Sequence, residues 1–248
     1  MIVSALPQLQ NLLASLGSSK LSSLLPIEVL VLKKLSPEKF LLQIKNQSFE
    51  VSTPKPLVVG ETYLSNVKHD AKQNIINLQH FHKIPLKMSQ AIYSMDELLA
   101  HFKKPSKESL TQLHSQLLNS LASSTNKEDF SFYTQLLLGL SQGVVSLPFK
   151  YPQGFGLLQY KKRKKQEKQS QDEVQFYAHL KHIGPLDGHI RLIDGEISII
   201  INVLFEESLS VLEQFKNEFS FNEALHIQLK TEIKPLFALN EQVLDISI

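Results

Sequence analysis

YKKRKKQEKQSQDE, residues 160–173, is the most charged stretch of the chain, and its reading decides the fold of everything after residue 143. Leu157, Leu158 and Tyr160 lead into it. After it, Val174, Phe176, Ala178 and Leu180 alternate with Gln175, Tyr177, His179 and Lys181. A period of two marks a strand with one buried face. The run itself opens with five basic residues, Lys161, Lys162, Arg163, Lys164 and Lys165, and closes with Asp172 and Glu173. Like charges repel and stay solvated. Two antiparallel strands leaving a packed sheet and joined by a long solvated loop account for the whole pattern. A docking site for an acidic partner protein is a second reading of the same lysines. A phosphate contact surface is a third, and the weakest, because no aromatic residue or glycine is interleaved in the basic run to stack on bases.

The strand pattern continues downstream. GHIRLIDGEISIIINVLF, residues 188–205, places Asp194-Gly195 between two apolar runs, which predicts a two-residue type I′ hairpin. Ile197, Ile199, Ile201 and Val203 then share one face. From Glu206 the spacing becomes helical, with Leu209, Leu212, Phe215 and Phe219 in one stripe and two acidic residues where a helix N-terminus favours negative charge. ALHIQLKTEI, residues 224–233, alternates as a last strand.

Upstream of residue 143 there are three further regions. Leu6, Leu9, Leu12, Leu13 and Leu16 recur at helical spacing and stop at Gly17, predicting an amphipathic N-terminal helix within residues 1–25. Residues 26–84 hold five short strand-like runs, with turns at Ser36-Pro37 and Asn46-Gln47. Five such strands suggest a small OB-like or SH3-like β-barrel. Residues 85–142 are helical: Met88, Ile92, Met95, Leu98, Leu99 and Phe102 fit one helix, and Leu110, Leu113, Leu117 and Leu121 a second. Phe130, Tyr133, Leu136, Leu137 and Leu140 fit a third, capped near Asn126. The expected fold class is α+β: a small N-terminal β-barrel, a central helical segment, and a C-terminal mixed α/β sandwich over residues 143–248 with a hairpin sheet and a packed helix.

Composition narrows the function. A net charge of +2 over 248 residues gives no chain-wide attraction to nucleic acid or membrane. With no cysteine, disulfides, thiolate nucleophiles and cysteine-based metal sites are excluded. No run reaches the ~18 apolar residues of a membrane helix, and no P-loop, GxSxG or GxGxxG motif is present. Nine histidines invite a metal reading. His80 and His82, two apart on an expected strand, share a face and make the best pair, although no third ligand is evident nearby. His179 and His182 fall on opposite faces. The expectation is a protein without enzymatic activity, catalytic residues, metal or cofactor.

One resemblance is carried by VSLPFKYPQGFGLLQYKKRKKQ followed by VQFYAHLKHIGPLDGHIRLIDGEISIIINVLFEESLSVLEQF. The order is an apolar strand with a proline, a strand running into Lys/Arg, a polar loop, and an alternating strand ending in an apolar-Gly pair (Ile183-Gly184). A strand to an Asp-Gly turn, an apolar strand, and a helix with spaced leucines (Leu209, Leu212) follow. Over about residues 145–235 this resembles the C-terminal domain of the flagellar hook-length control protein family. The resemblance implies a cytoplasmic protein exported through the flagellar type III apparatus. It also implies action on the cytoplasmic domain of the export gate, or on hook or hook-cap proteins, to regulate hook assembly or export substrate switching. The chain departs from the family in lacking a long Pro/Ser/Thr/Gln-rich segment, so a gate-binding or adaptor role fits better than a measuring one. The candidate protein-binding residues are Lys161, Lys162, Arg163, Lys164 and Lys165, with Ile190 and Leu192 on the sheet, where they also suit a core. The alternative from another class is a nucleic-acid-binding module using the barrel and the basic loop.

Overall fold

A computed structural model describes residues 26–70, 75–84, 93–94, 96–98, 107–151, 154–163, 172–193, 195–218 and 224–239. The expected N-terminal helix, and most of the helix expected from Met88 to Phe102, lie outside the described residues. The architecture is mixed α+β with two sheets and few helices. By contacts the chain divides into two compact units.

The first unit contains a five-stranded sheet. Its strands are β1 (Ile27–Ser36), β2 (Lys39–Ile44), β3 (Gln47–Ser52), β4 (Thr62–Asp70) and β5 (Ile75–Lys83). All neighbours in the order β3-β2-β1-β4-β5 are antiparallel. The two tight turns fall one residue from where the sequence places them, at Pro37-Glu38 and Lys45-Asn46. Ser36 pairs with Lys39, and Ile44 with Gln47, the second turn holding Lys45 at φ 53°. Val29, Val31, Phe40, Leu42, Ile44, Phe49, Val51, Tyr63, Leu78 and Phe81, drawn from all five strands, join Leu57 of the β3–β4 connector in one apolar cluster. Burying each such side chain contributes roughly 1.5–3 kcal/mol. The expected closure into a barrel is not found: β3 and β5 are the two edges of the hydrogen-bonded order. The strand count was legible, but closure depends on stagger between first and last strands, which no local pattern encodes.

β5 also carries a bulge. Its pairing with β4 slips between Leu64 and Asn66, and His80 adopts φ 57°. The extra residue breaks the two-residue alternation. His80 is exposed while His82 is half-buried, which removes the shared face expected for this pair.

Helix α3 (Glu206–Phe215) groups, through residues 205–214, with this first unit, whereas the sequence expects it on the C-terminal sheet. Its anchors are specific. Asn66 donates from Nδ2 to Glu207 Oε2 at 2.6 Å, and buried Ser208 donates from Oγ to the Ile183 carbonyl at 2.6 Å. Gly184, at φ 82°, lies beneath the Phe205 ring, where a Cβ would come within 2.6 Å of Cε2.

The second unit is built on a seven-stranded sheet. Its members are β6 (Tyr93–Ser94), β7 (Val145–Tyr151), β8 (Gly154–Lys162), β9 (Asp172–Leu180), β10 (Gly184–Ile193), β11 (Glu196–Val203) and β12 (Leu225–Leu229). The order is β12-β11-β10-β9-β8-β7-β6. The short edge strands β6 and β12 run parallel to their neighbours, and β7–β8, β8–β9 and β10–β11 are antiparallel. Ile193 pairs with Glu196, and Gly195 sits at φ 88°, a two-residue connection of the kind expected here; Asp194 lies outside the described residues.

Helices α1 (Lys107–Ala122) and α2 (Lys127–Ser141) supply the rest of this core. Leu113, Leu117, Phe132 and Leu136 cluster with Val145, Leu147, Phe149, Leu157, Tyr177, Ile233 and Leu239. Asn126 caps α2 as expected, accepting from the Asp129 amide at 2.8 Å. The buried face of α2 is Phe132, Gln135, Leu136 and Gly139, and Phe130 is exposed. The stripe expected from helical spacing was led by Phe130, and Phe132 takes its place on the buried face. Gly139 on that face admits Phe237, whose ring would stand 3.2 Å from a Cβ there. Buried Gln159 fixes the C-terminal segment, donating to the Phe237 carbonyl at 2.8 Å and accepting from its amide at 3.3 Å.

Candidate functional site

The basic run enters the structure as strand. Lys161 pairs with Gln175 and Lys162 with Val174 across β8–β9, and the Arg163 amide donates to the Glu173 carbonyl at 2.9 Å. The ladder therefore carries three of the five predicted basic residues to the end of the sheet; Lys164 and Lys165 lie outside the described residues. Alternation puts Lys161 and Arg163 on one face and Lys162 on the other.

Each face has its own ion pairs. Lys162 Nζ stands 3.5 Å from Asp172, with both side chains well exposed. On the opposite face Glu173 is held between two guanidinium groups: Arg163 Nη1 at 3.4 Å and Arg191 Nε, from β10, at 3.1 Å. Burial pushes the Glu173 carboxyl up, but the hydrogen bond and charge of Arg191, with the charge of Arg163, outweigh it and hold the group below the usual carboxylate range. Nearby, His189 is shifted down, first by burial and then by Arg191, against the opposing pull of Glu173 and Asp187.

The two apolar candidates lie on the face of β10 away from Arg191. Ile190 and Leu192 are 40% and 45% exposed, and Ile197, which pairs with Leu192, is 52% exposed. Ile199, opposite Ile190, is buried. The apolar stripe of this hairpin is thus covered at its base and uncovered at its tip. Sequence reasoning named Ile190 and Leu192 but passed over Ile197, which had been placed in the same stripe as its buried neighbours.

Reasoning from sequence also missed a polar ladder across the far strands. Asn202 Nδ2 donates to Asp187 at 2.6 Å, Gln228 Nε2 donates to Asn202 Oδ1 at 2.7 Å, and Lys230 Nζ reaches Asp187 at 2.6 Å. These residues meet only through the register of β10, β11 and β12. Tyr177, fully buried on β9, has its hydroxyl pKa raised by burial and by Asp187.

In chemical terms the sheet end offers a cationic face built on one shared carboxylate and an uncovered apolar tip on the reverse side. Among the described residues no group of three His, Asp or Glu side chains is placed to hold a metal ion, and no helix is long and apolar enough to cross a membrane. Comparison with protein-family models, with curated proteins and with solved structures finds no match to this chain.

Proposed function

We propose that the chain is a non-enzymatic flagellar protein related to the hook-length control proteins. It binds the cytoplasmic domain of the type III export gate, or hook or hook-cap components, and so regulates hook assembly or export substrate switching. The observation that carries this reading is the uncovered apolar tip formed by Ile190, Leu192 and Ile197. Three exposed aliphatic side chains side by side on a hairpin are what a protein partner covers. The order of elements lends further support: a proline-bearing strand, a strand running into basic residues, an alternating strand, a tight two-residue turn and a leucine-spaced helix. In this reading the five-stranded sheet serves as an adaptor, and the protein acts at the cytoplasmic side of the export apparatus before being exported itself.

The nucleic-acid alternative has less support, because the basic run from Lys161 to Lys165 carries no interleaved aromatic residue on which bases could stack. The test pairs a pull-down of purified chain against the gate's cytoplasmic domain with hook-length measurement after gene deletion. Enrichment of the gate domain and altered hook length or motility are expected. No enrichment together with normal motility refutes the proposal.

A further inference from the structure

We infer that the cationic face of β8 and β10 is a docking site for an extended acidic peptide segment, with Glu173 as a built-in competitor for its arginines. The inference rests on the protein-binding reading above and names the chemistry of one partner surface.

Three observations carry it. Lys161 lies in β8 and Arg163 just past its end, where its amide continues the pairing to Glu173, so their charges repeat at roughly 6.6 Å. An extended peptide with a carboxylate at every second residue has the same repeat. Arg191 adds a third cation from β10, joined to Arg163 through Glu173. Among the described residues this face of the sheet end sets one carboxylate, Glu173, against three cations, while Asp187, farther along the same face of β10, is paired with Lys230. The sheet end therefore keeps a positive excess on this face, and an acidic chain complements that excess.

The guanidinium geometry explains how a second anion fits. A guanidinium presents five N–H donors in a planar fork. Glu173 takes one bond from Arg191 Nε and one long contact from Arg163 Nη1. The remaining donors of each fork suit the paired oxygens of an incoming carboxylate. The Arg163 and Arg191 side chains are 60% and 37% exposed, whereas Glu173 is only 12% exposed. The cations thus face solvent and their shared anion lies behind them. Single-stranded nucleic acid is the less suitable occupant, because binding without sequence preference draws on aromatic rings as stacking platforms. The aromatic side chain nearest on this face, Tyr177, is fully buried.

Fluorescence anisotropy decides the matter, with the intact chain and two labelled probes: a peptide alternating Glu with Ser, and an oligothymidylate. The peptide is expected to bind, weakening as salt rises from ~50 to ~200 mM. Arg163→Gln and Arg191→Gln should each weaken it by about tenfold. Glu173→Gln should tighten it several-fold by releasing both guanidinium groups, an effect that a purely structural ion pair cannot produce. Circular dichroism of each variant establishes that the fold is retained, and Lys161→Gln serves as the probe should either arginine variant fail to fold. Absence of peptide binding, or weakening by Glu173→Gln in a folded protein, overturns the inference. Tighter binding of the oligothymidylate than of the peptide overturns it in favour of a phosphate site. Gate capture that persists while peptide binding fails removes this inference and leaves the proposed function standing.

Discussion

Acidification should loosen the first unit through one side chain, His82. The imidazole lies opposite Leu64 in the β4–β5 ladder and is half-buried. Lys55 stands close by, its Nζ donating to the Phe81 carbonyl at 2.7 Å. Burial, and then the Lys55 charge, lower the His82 pKa from 6.5 to about 4. The native state therefore resists a proton that the unfolded chain accepts. Above about pH 7 both states are neutral at this site and stability is unaffected. As pH falls through 6.5 the unfolded chain gains the proton first, and stability is lost progressively until about pH 4. At about pH 5 the proton-linkage difference between pKa 6.5 and about 4 amounts to roughly 2 kcal/mol. The assay is urea denaturation followed by circular dichroism at pH 7 and pH 5, for the native chain and for His82→Gln. The variant should lose about 2 kcal/mol less than the native chain over that interval, since the other titrating groups are common to both. Equal losses, or an NMR titration placing His82 near 6.5, would refute the reasoning.

Other perturbations follow from particular contacts. Gly184→Ala should cost about 2–4 kcal/mol in thermal denaturation, combining left-handed strain with overlap against the Phe205 ring. Gly195→Ala, at a similar φ but with open space around it, should cost only about 1–2 kcal/mol. Tyr177→Phe should be neutral or should stabilise by up to about 1 kcal/mol, because the buried hydroxyl has no hydrogen-bond partner among the described residues. Leu192→Ser with Ile197→Ser should leave the melting temperature nearly unchanged and abolish capture of the export gate domain; a large drop in stability would instead assign these side chains to the core.

The strands were legible where alternation was clean. Val174 to Leu180 reads as a strand, and β9 follows it, but Tyr177 and His179, read from the alternation as its polar face, are its fully buried side chains. The turns were legible because their chemistry is local: Asn126 as a cap and Gly195 in a two-residue connection both stand where their residue types require. Features set by pairing between distant segments escaped. The Asp187–Asn202–Gln228–Lys230 ladder needs the registers of three strands at once. The bulge at His80 follows no glycine signal, so the histidine pair read as sharing a face. The destination of α3 was hidden for a related reason. Its leucine spacing marks an apolar stripe, but Asn66, which meets Glu207, lies 141 residues earlier. Of the candidate site, the basic strand end was visible as charge, whereas its clamp onto Arg191 was not, because Glu173 and Arg191 are brought together only by the β9–β10 neighbourhood.

The most direct test of the account is a chemical-shift titration of isotope-labelled chain with the cytoplasmic domain of the export gate. The account predicts saturable perturbations centred on Ile190, Leu192 and Ile197 at the tip of the β10–β11 hairpin. Shifts confined to the five-stranded sheet, or no shifts at saturating concentration, would contradict it.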